Sequence, residues 1–198
     1  MPTPVPARIP GLAAVVLTGG TGARLGGVDK AALEVGGSTL LERALAATAA
    51  AGEVVVVGVE QPTPRPVTWT REDPPLGGPA AGLLAGLDAL RRPADLVCAL
   101  AVDMPRIGPD TIERLVAAVT AETDQDGAVL VDATGHQQPL AAVYRYDALT
   151  GARPPDAKDE HGLSIRRLVG GLRLVAVPSV GLEDRDVDTW EDLGELDD

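Results

Sequence analysis

Lys30 is one of only two lysines in the chain, the other being Lys158, among 17 basic residues in all. It closes the stretch "LTGGTGARLGGVDK", in which an apolar run passes directly into glycines. Glycines at 19, 20 and 22 carry no Cβ, so their backbone N–H groups can converge on phosphate oxygens. Arg24 and Lys30 add the positive charge that a triphosphate needs, and a compact ammonium suits close approach to the α- and β-phosphates better than a guanidinium does. Farther along, "CALAVDMP" ends an apolar run at Asp103, which places a carboxylate at a strand's carboxyl end. A magnesium ion that bridges triphosphate oxygens is usually held by one or two such carboxylates. The chemistry these residues could perform together is the holding and activation of a nucleoside triphosphate.

Two other glycine-loop chemistries fail on spacing. A P-loop requires a Gly-Lys pair, and the chain has none. A dinucleotide fingerprint starting at Gly20 and Gly22 meets Leu25 where its third glycine belongs, with Gly26 one residue late. Its acidic residue would be Glu42, inside a helical pattern instead of at the end of the second strand.

Strands are expected at Leu12 to Thr18, Glu53 to Val59, Asp95 to Val102, Gly127 to Ala133, Leu140 to Tyr146 and Leu172 to Pro178, with a short one at "VTWT". Apolar runs this continuous imply strands covered on both faces. Helical patterns alternate with them. "TLLERALAATAAAG" opens on Thr39 and Glu42 at capping-box spacing and stops at Gly52. "GPAAGLLAGLDALRR" carries Gly78, Gly82 and Gly86 as a bare stripe, and "PDTIERLVAAVTA" begins at Pro109 with Asp110 and Glu113 repeating the capping pattern. The expectation is α/β: a single doubly wound, mostly parallel sheet with helices on both faces, occupying residues 11–198 behind a flexible segment 1–10. In such sheets ligands bind beyond the strands' carboxyl ends, where the glycine loop lies.

Taken together, "LTGGTGARLGGVDK", "REDPPLGGPAAGLLAGL", "CALAVDMPRIGPD", "HQQPLAAVY" and "DVDTWEDL" resemble, in order, the motifs of nucleotidyltransferases with a Rossmann-like fold. The "GGVDK" ending looks most like the molybdenum cofactor guanylyltransferases. That resemblance implies transfer of a nucleoside monophosphate from GTP, or another NTP, to the phosphate of a molybdopterin-type acceptor, with Mg2+ as cofactor and release of pyrophosphate. It implies nucleotide contacts at Leu17, Thr18, Gly19, Gly20, Gly22, Lys30, Gly58, Asp73, Gly78 and Asp103. Catalytic roles fall to Arg24, Lys30 and Asp103, and metal ligation to Asp103 and Asp188. Gly58 stands where relatives often carry an asparagine, so one side-chain contact is missing. Asp188 could instead cap the helix that follows, since Trp190 replaces the proline usual in the motif. His136 and His161 are too far apart to propose a metal pair, while Arg166 and Arg167 could meet the acceptor. A cytidylyltransferase would present much the same loop, and so would a nucleotide-binding regulator without turnover.

Composition sets the limits around this reading. A net charge of −12 argues against the basic face that nucleic-acid binders need, and leaves an anionic small ligand to a local cluster of cations. Aromatics at 2% leave Val, Leu and Ala to fill the core, which favours α/β layers over a β-sandwich. The single cysteine, Cys98, excludes a disulfide framework within the chain and reads as core. "MPTPVPARIP" has no apolar secretory segment and no run is long enough to span a membrane, so a cytoplasmic protein is expected, with transient contacts to proteins that handle the cofactor.

Overall fold

The computed structural model describes residues 7–19, 29–187 and 189–194. Its elements follow the chain as β1 (Leu12–Leu17), β2 (Glu34–Val35), β3 (Ser38–Thr39), α1 (Leu40–Ala47), β4 (Glu53–Val57), β5 (Thr68–Thr70), α2 (Pro79–Asp88) and β6 (Leu96–Ala101). Then come α3 (Pro109–Ala121), β7 (Gly127–Val131), β8 (Gln137–Arg145), α4 (Tyr146–Gly151), α5 (Ile165–Val169), β9 (Leu174–Pro178) and α6 (Trp190–Gly194). Seven strands form one sheet in the order β5-β4-β1-β6-β8-β7-β9. β8 is antiparallel to both its neighbours and every other pairing is parallel.

Alternation along the strands divides the core into two. On β1, Leu12, Ala14 and Val16 face one layer while Val15 and Leu17 face the other, and on β6 Cys98 and Leu100 oppose Val97 and Ala99. The first layer holds buried residues of α1 and α3, the second those of α2 and α5. Covered on both sides, these strands bury nearly every residue, which is why they read as continuous apolar runs. No helix among the described residues is long and apolar enough to cross a membrane.

Local signals formed most of the expected elements, with four differences. α1 has the capping box of Thr39 and Glu42, but it ends at Thr48, whose hydroxyl donates to the Ala44 carbonyl at 2.9 Å. Gly52 is not its terminator; the Gly52 N–H donates to Leu12 O and begins the β1–β4 pairing. α3 is capped from Gly108, whose N–H donates to Thr111 Oγ1, while Asp110 stays exposed within the first turn. β8 starts at Gln137, three residues earlier than expected; Pro139, which lacks an N–H, is accommodated within it where the register against β7 shifts. Tyr144 is fully buried and donates to the Pro139 carbonyl at 2.8 Å, closing that irregular stretch. The β2–β3 hairpin, with Gly36 and Gly37 at positive φ in its turn, was not read from the sequence.

α2 lies close to the sheet because its inner face lacks side chains. A Cβ on Gly86 would meet Val15 Cγ1 at 2.3 Å and one on Gly82 would meet Leu17 Cδ2 at 3.2 Å. Two members of the glycine stripe therefore serve packing. Gly78, at φ 87°, caps the helix instead.

Candidate active site

From β1 the chain passes to α1 on one face, and from β5 it returns through α2 on the other face to β6, which lies next to β1. Connections diverge at the carboxyl ends of β1 and β6, the topological switch point where open α/β sheets bind ligands. The expected site residues converge there to different degrees.

Lys30 starts a single 3-10 turn, Lys30–Ala32, capped by the Asp29 carboxylate, which accepts from the Ala31 N–H at 3.1 Å. Ala31, Leu33 and Val35 anchor this segment in the first core layer. Although it follows a glycine-rich stretch, Lys30 is largely buried, its side chain keeping only 11% of its surface. Nζ lies 3.3 Å from Asp103 Oδ2 and donates to the Val187 carbonyl at 2.9 Å. Asp103 follows β6 and remains 30% exposed. Val187 returns the contact, its N–H donating to the Asp103 carbonyl at 2.8 Å. Three distant segments thus meet around one ammonium.

The C-terminal segment is held in place by Glu183. Its Oε1 accepts from Thr111 Oγ1 at 2.6 Å, its Oε2 accepts from Arg114 at 2.7 Å and from the Val180 N–H at 2.9 Å. Burial pushes the Glu183 carboxyl up, but the hydrogen bonds from Arg114, Thr111 and Val180 outweigh it and hold the carboxyl below its ordinary value. Neither Glu183 nor the Val187 carbonyl was singled out from the sequence. A backbone oxygen carries no residue-type signal, and the acids of "LEDRDVD" look alike until α3 is placed beside one of them.

Thr18 and Gly19 leave β1 at the same edge. Thr18 is 6% exposed, and both its N–H and its hydroxyl donate to the Val57 carbonyl, at 3.1 and 3.0 Å. Open space surrounds the position a Cβ on Gly19 would take. Gly20, Gly22, Arg24 and Asp188 lie outside the described residues. Helix capping at the C-terminus goes to Thr189, whose hydroxyl accepts from the Asp192 N–H at 3.2 Å while its own N–H donates to the Asp192 carboxylate.

Asp73 stands apart from this cluster. It is exposed in the loop leading to α2, on the opposite face of the sheet from the Lys30 turn, and lines a cleft of about 560 Å³ with Thr70, Arg71, Arg153 and His161. Gly78 sits beyond it, with the Gly77 carbonyl accepting from the Gly162 N–H at 2.8 Å. The two histidines are in separate places. His161 neighbours Gly77, whereas His136, in the β7–β8 turn, contacts the Arg166 guanidinium of α5. That turn is shaped by Asp132, which accepts from the Thr134 hydroxyl and N–H and from the His136 N–H; these bonds, led by the Thr134 hydroxyl, hold its carboxyl below the ordinary range. β7 runs in the same direction as β1 and β6, so the turn lies on the same edge of the sheet.

Chemically, the edge combines an immobilised ammonium, an adjoining carboxylate and a strand end that feeds a glycine loop. Residues 14–173 match the family described as the MobA-like NTP transferase domain. The molybdenum cofactor guanylyltransferase of Bradyrhizobium sp. (strain ORS 278) is 36% identical over 144 residues, which make up 69% of this chain and 66% of that protein. That of Rhodobacter capsulatus is 34% identical over 195 residues, 94% of this chain and 95% of the relative. In fold, the chain is similar to the crystal structure of molybdopterin-guanine dinucleotide biosynthesis protein A from Archaeoglobus fulgidus, with a TM-score of 0.69 at 20% identity over 93% of this chain and 96% of that one.

Proposed function

The chain belongs to the family of MobA-like NTP transferase domains, and from that premise we propose that it transfers GMP from GTP to the phosphate of molybdopterin. A phosphate oxygen of the acceptor attacks the α-phosphorus in line, the bond from that phosphorus to the bridging oxygen breaks, and pyrophosphate leaves. No protein nucleophile is required, because positioning and charge neutralisation carry the catalysis.

Lys30, whose ammonium is immobilised 3.3 Å from Asp103, carries this reading. An ammonium fixed by a carboxylate and a carbonyl meets the triphosphate without having to be ordered first. At an effective dielectric of about 20, two unit charges about 4 Å apart interact by roughly 4 kcal/mol, and the part of this gained only in the transition state raises the rate. Leu17, Thr18 and the amides of Gly19, Gly20 and Gly22 would cradle the phosphates, with Arg24 as a second cation. Gly58, Asp73 and Gly78 would border the nucleoside.

Magnesium fits the donor set. Asp103 places one carboxylate at the switch point. That matches an ion taken up through one or two carboxylates together with substrate phosphates. Asp103 would hold it, with Asp188 as second ligand, and the ion would supply neutralisation of phosphate charge. On the acceptor side, Arg166 beside His136 would meet the molybdopterin phosphate, with Arg167 next to it.

The test is pyrophosphate release from each of the four nucleoside triphosphates in the presence of magnesium and molybdopterin. Release with GTP alone supports the proposal. Release with CTP alone would make the chain a cytidylyltransferase, and tight binding without release would make it a nucleotide-binding regulator.

A further inference from the structure

Thr18 and Gly58 occupy adjoining strand ends and share one space. The Val57 carbonyl accepts twice from Thr18, once from its N–H and once from its hydroxyl. That second bond turns Oγ1 sideways across the end of β4. A Cβ built on Gly58 would lie 1.8 Å from Thr18 Oγ1 and 3.2 Å from Thr18 Cβ. No real Cβ tolerates the first distance, so residue 58 can carry a side chain only if Thr18 gives up its hydroxyl or its rotamer. The backbone at Gly58 is committed too: its N–H donates to the Thr70 carbonyl at 2.9 Å and its carbonyl accepts from Arg71 Nε at 3.0 Å. With β1, β4 and β5 tied together here, residue 58 has no room to retreat.

We propose that Thr18 is a positioning residue that works as one unit with Gly58. The Thr18 hydroxyl fixes the point where the chain leaves β1 for the glycine loop, and the bare Cα of Gly58 is the condition for it. This rests on the transferase reading above, since the group being positioned is Gly19, where the chain leaves β1. A strand end paired by two bonds to its neighbour gives the Gly19 amide a fixed starting point, and small misplacements of such a group are costly in binding.

The experiment is a double-mutant cycle with Thr18→Ala, Gly58→Ala and the pair, read by the KM for GTP, by the thermal shift that GTP induces, and by Tm without ligand. Gly58→Ala in the presence of Thr18 is expected to raise KM by about tenfold or more and to shrink the GTP-induced shift, because the new methyl group drives the hydroxyl out of place. Thr18→Ala should raise KM by only a few-fold. In KM the double variant should match Thr18→Ala, while its Tm stays lower, because an L side chain at residue 58 is strained at φ 159° and its Cβ still lies 3.2 Å from Thr18 Cβ. A Gly58→Ala variant with wild-type KM would overturn the proposal, as would a double variant whose KM is the product of the two single effects. Recovery of Tm without recovery of KM in the double variant would reduce the pair to packing and overturn it equally. Wild type that neither binds nor turns over GTP sinks the transferase reading, a result separate from an active wild type with an additive cycle.

Discussion

Lys30 Nζ and Asp103 Oδ2 lie 3.3 Å apart although 73 positions separate them in the chain. The Val187 carbonyl completes the contact from a third segment. Partly buried, the pair is less screened than a surface ion pair, whose net value seldom exceeds about 1 kcal/mol.

Lys30→Ala should lower kcat/KM by at least about a hundredfold, the value of one charge contact made in the transition state. It should also cost about 1 to 3 kcal/mol of stability, because the carboxylate and carbonyl lose their ammonium partner. Steady-state kinetics alongside denaturant unfolding checks both parts. Wild-type turnover would remove Lys30 from the phosphate site.

Asp103→Asn keeps the shape of the residue and its capacity to accept from Lys30, but removes the charge. Nucleotide binding should then lose its dependence on magnesium, while Tm changes little. Titrating magnesium at fixed nucleotide into both proteins decides the matter: identical curves would leave Asp103 as a structural partner of Lys30 and nothing more.

Because Thr189 caps the last helix, Asp188→Ala should not bring the loss of about 1 kcal/mol that removing a cap brings. Metal affinity and rate should fall together at unchanged Tm, and Asp188→Asn should retain much of both. A variant with full activity and normal magnesium dependence would exclude Asp188 from the metal site.

Glu183 ties stability to pH. Its folded-state carboxyl sits below the ordinary glutamate value, so between the two values the unfolded chain binds more protons. Its contribution is therefore fully present above the unfolded value and lost as pH falls through the folded one. Glu183→Gln should be destabilised by about 1 to 3 kcal/mol at neutral pH, the scale of charge-assisted hydrogen bonds, with the gap closing in acid. Chemical unfolding from pH 7 down to pH 3 measures it, and a gap that stays constant with pH would contradict the assignment.

The sequence by itself determined the fold class, the family and the two covered faces of the sheet, because those signals are local. Apolar runs on β1 and β6, Thr39 with Glu42 ahead of α1, and Pro109 at the start of α3 each act within a few residues. Cys98 was legible as core for the same reason, and burial pushes its thiol up to about 12. Tertiary structure alone decided what surrounds Lys30. Chain order does not reveal that the Val187 carbonyl meets an ammonium 157 positions away, since every residue has a carbonyl. Nor does it single out Glu183 until α3 brings Arg114 and Thr111 to its carboxylate. Gly58 reads as a missing side chain until β1 is laid beside β4, where the Thr18 hydroxyl fills the space a Cβ would need. Periodicity and capping come from neighbours along the chain; the site comes from neighbours across the sheet, and only folding determines which those are.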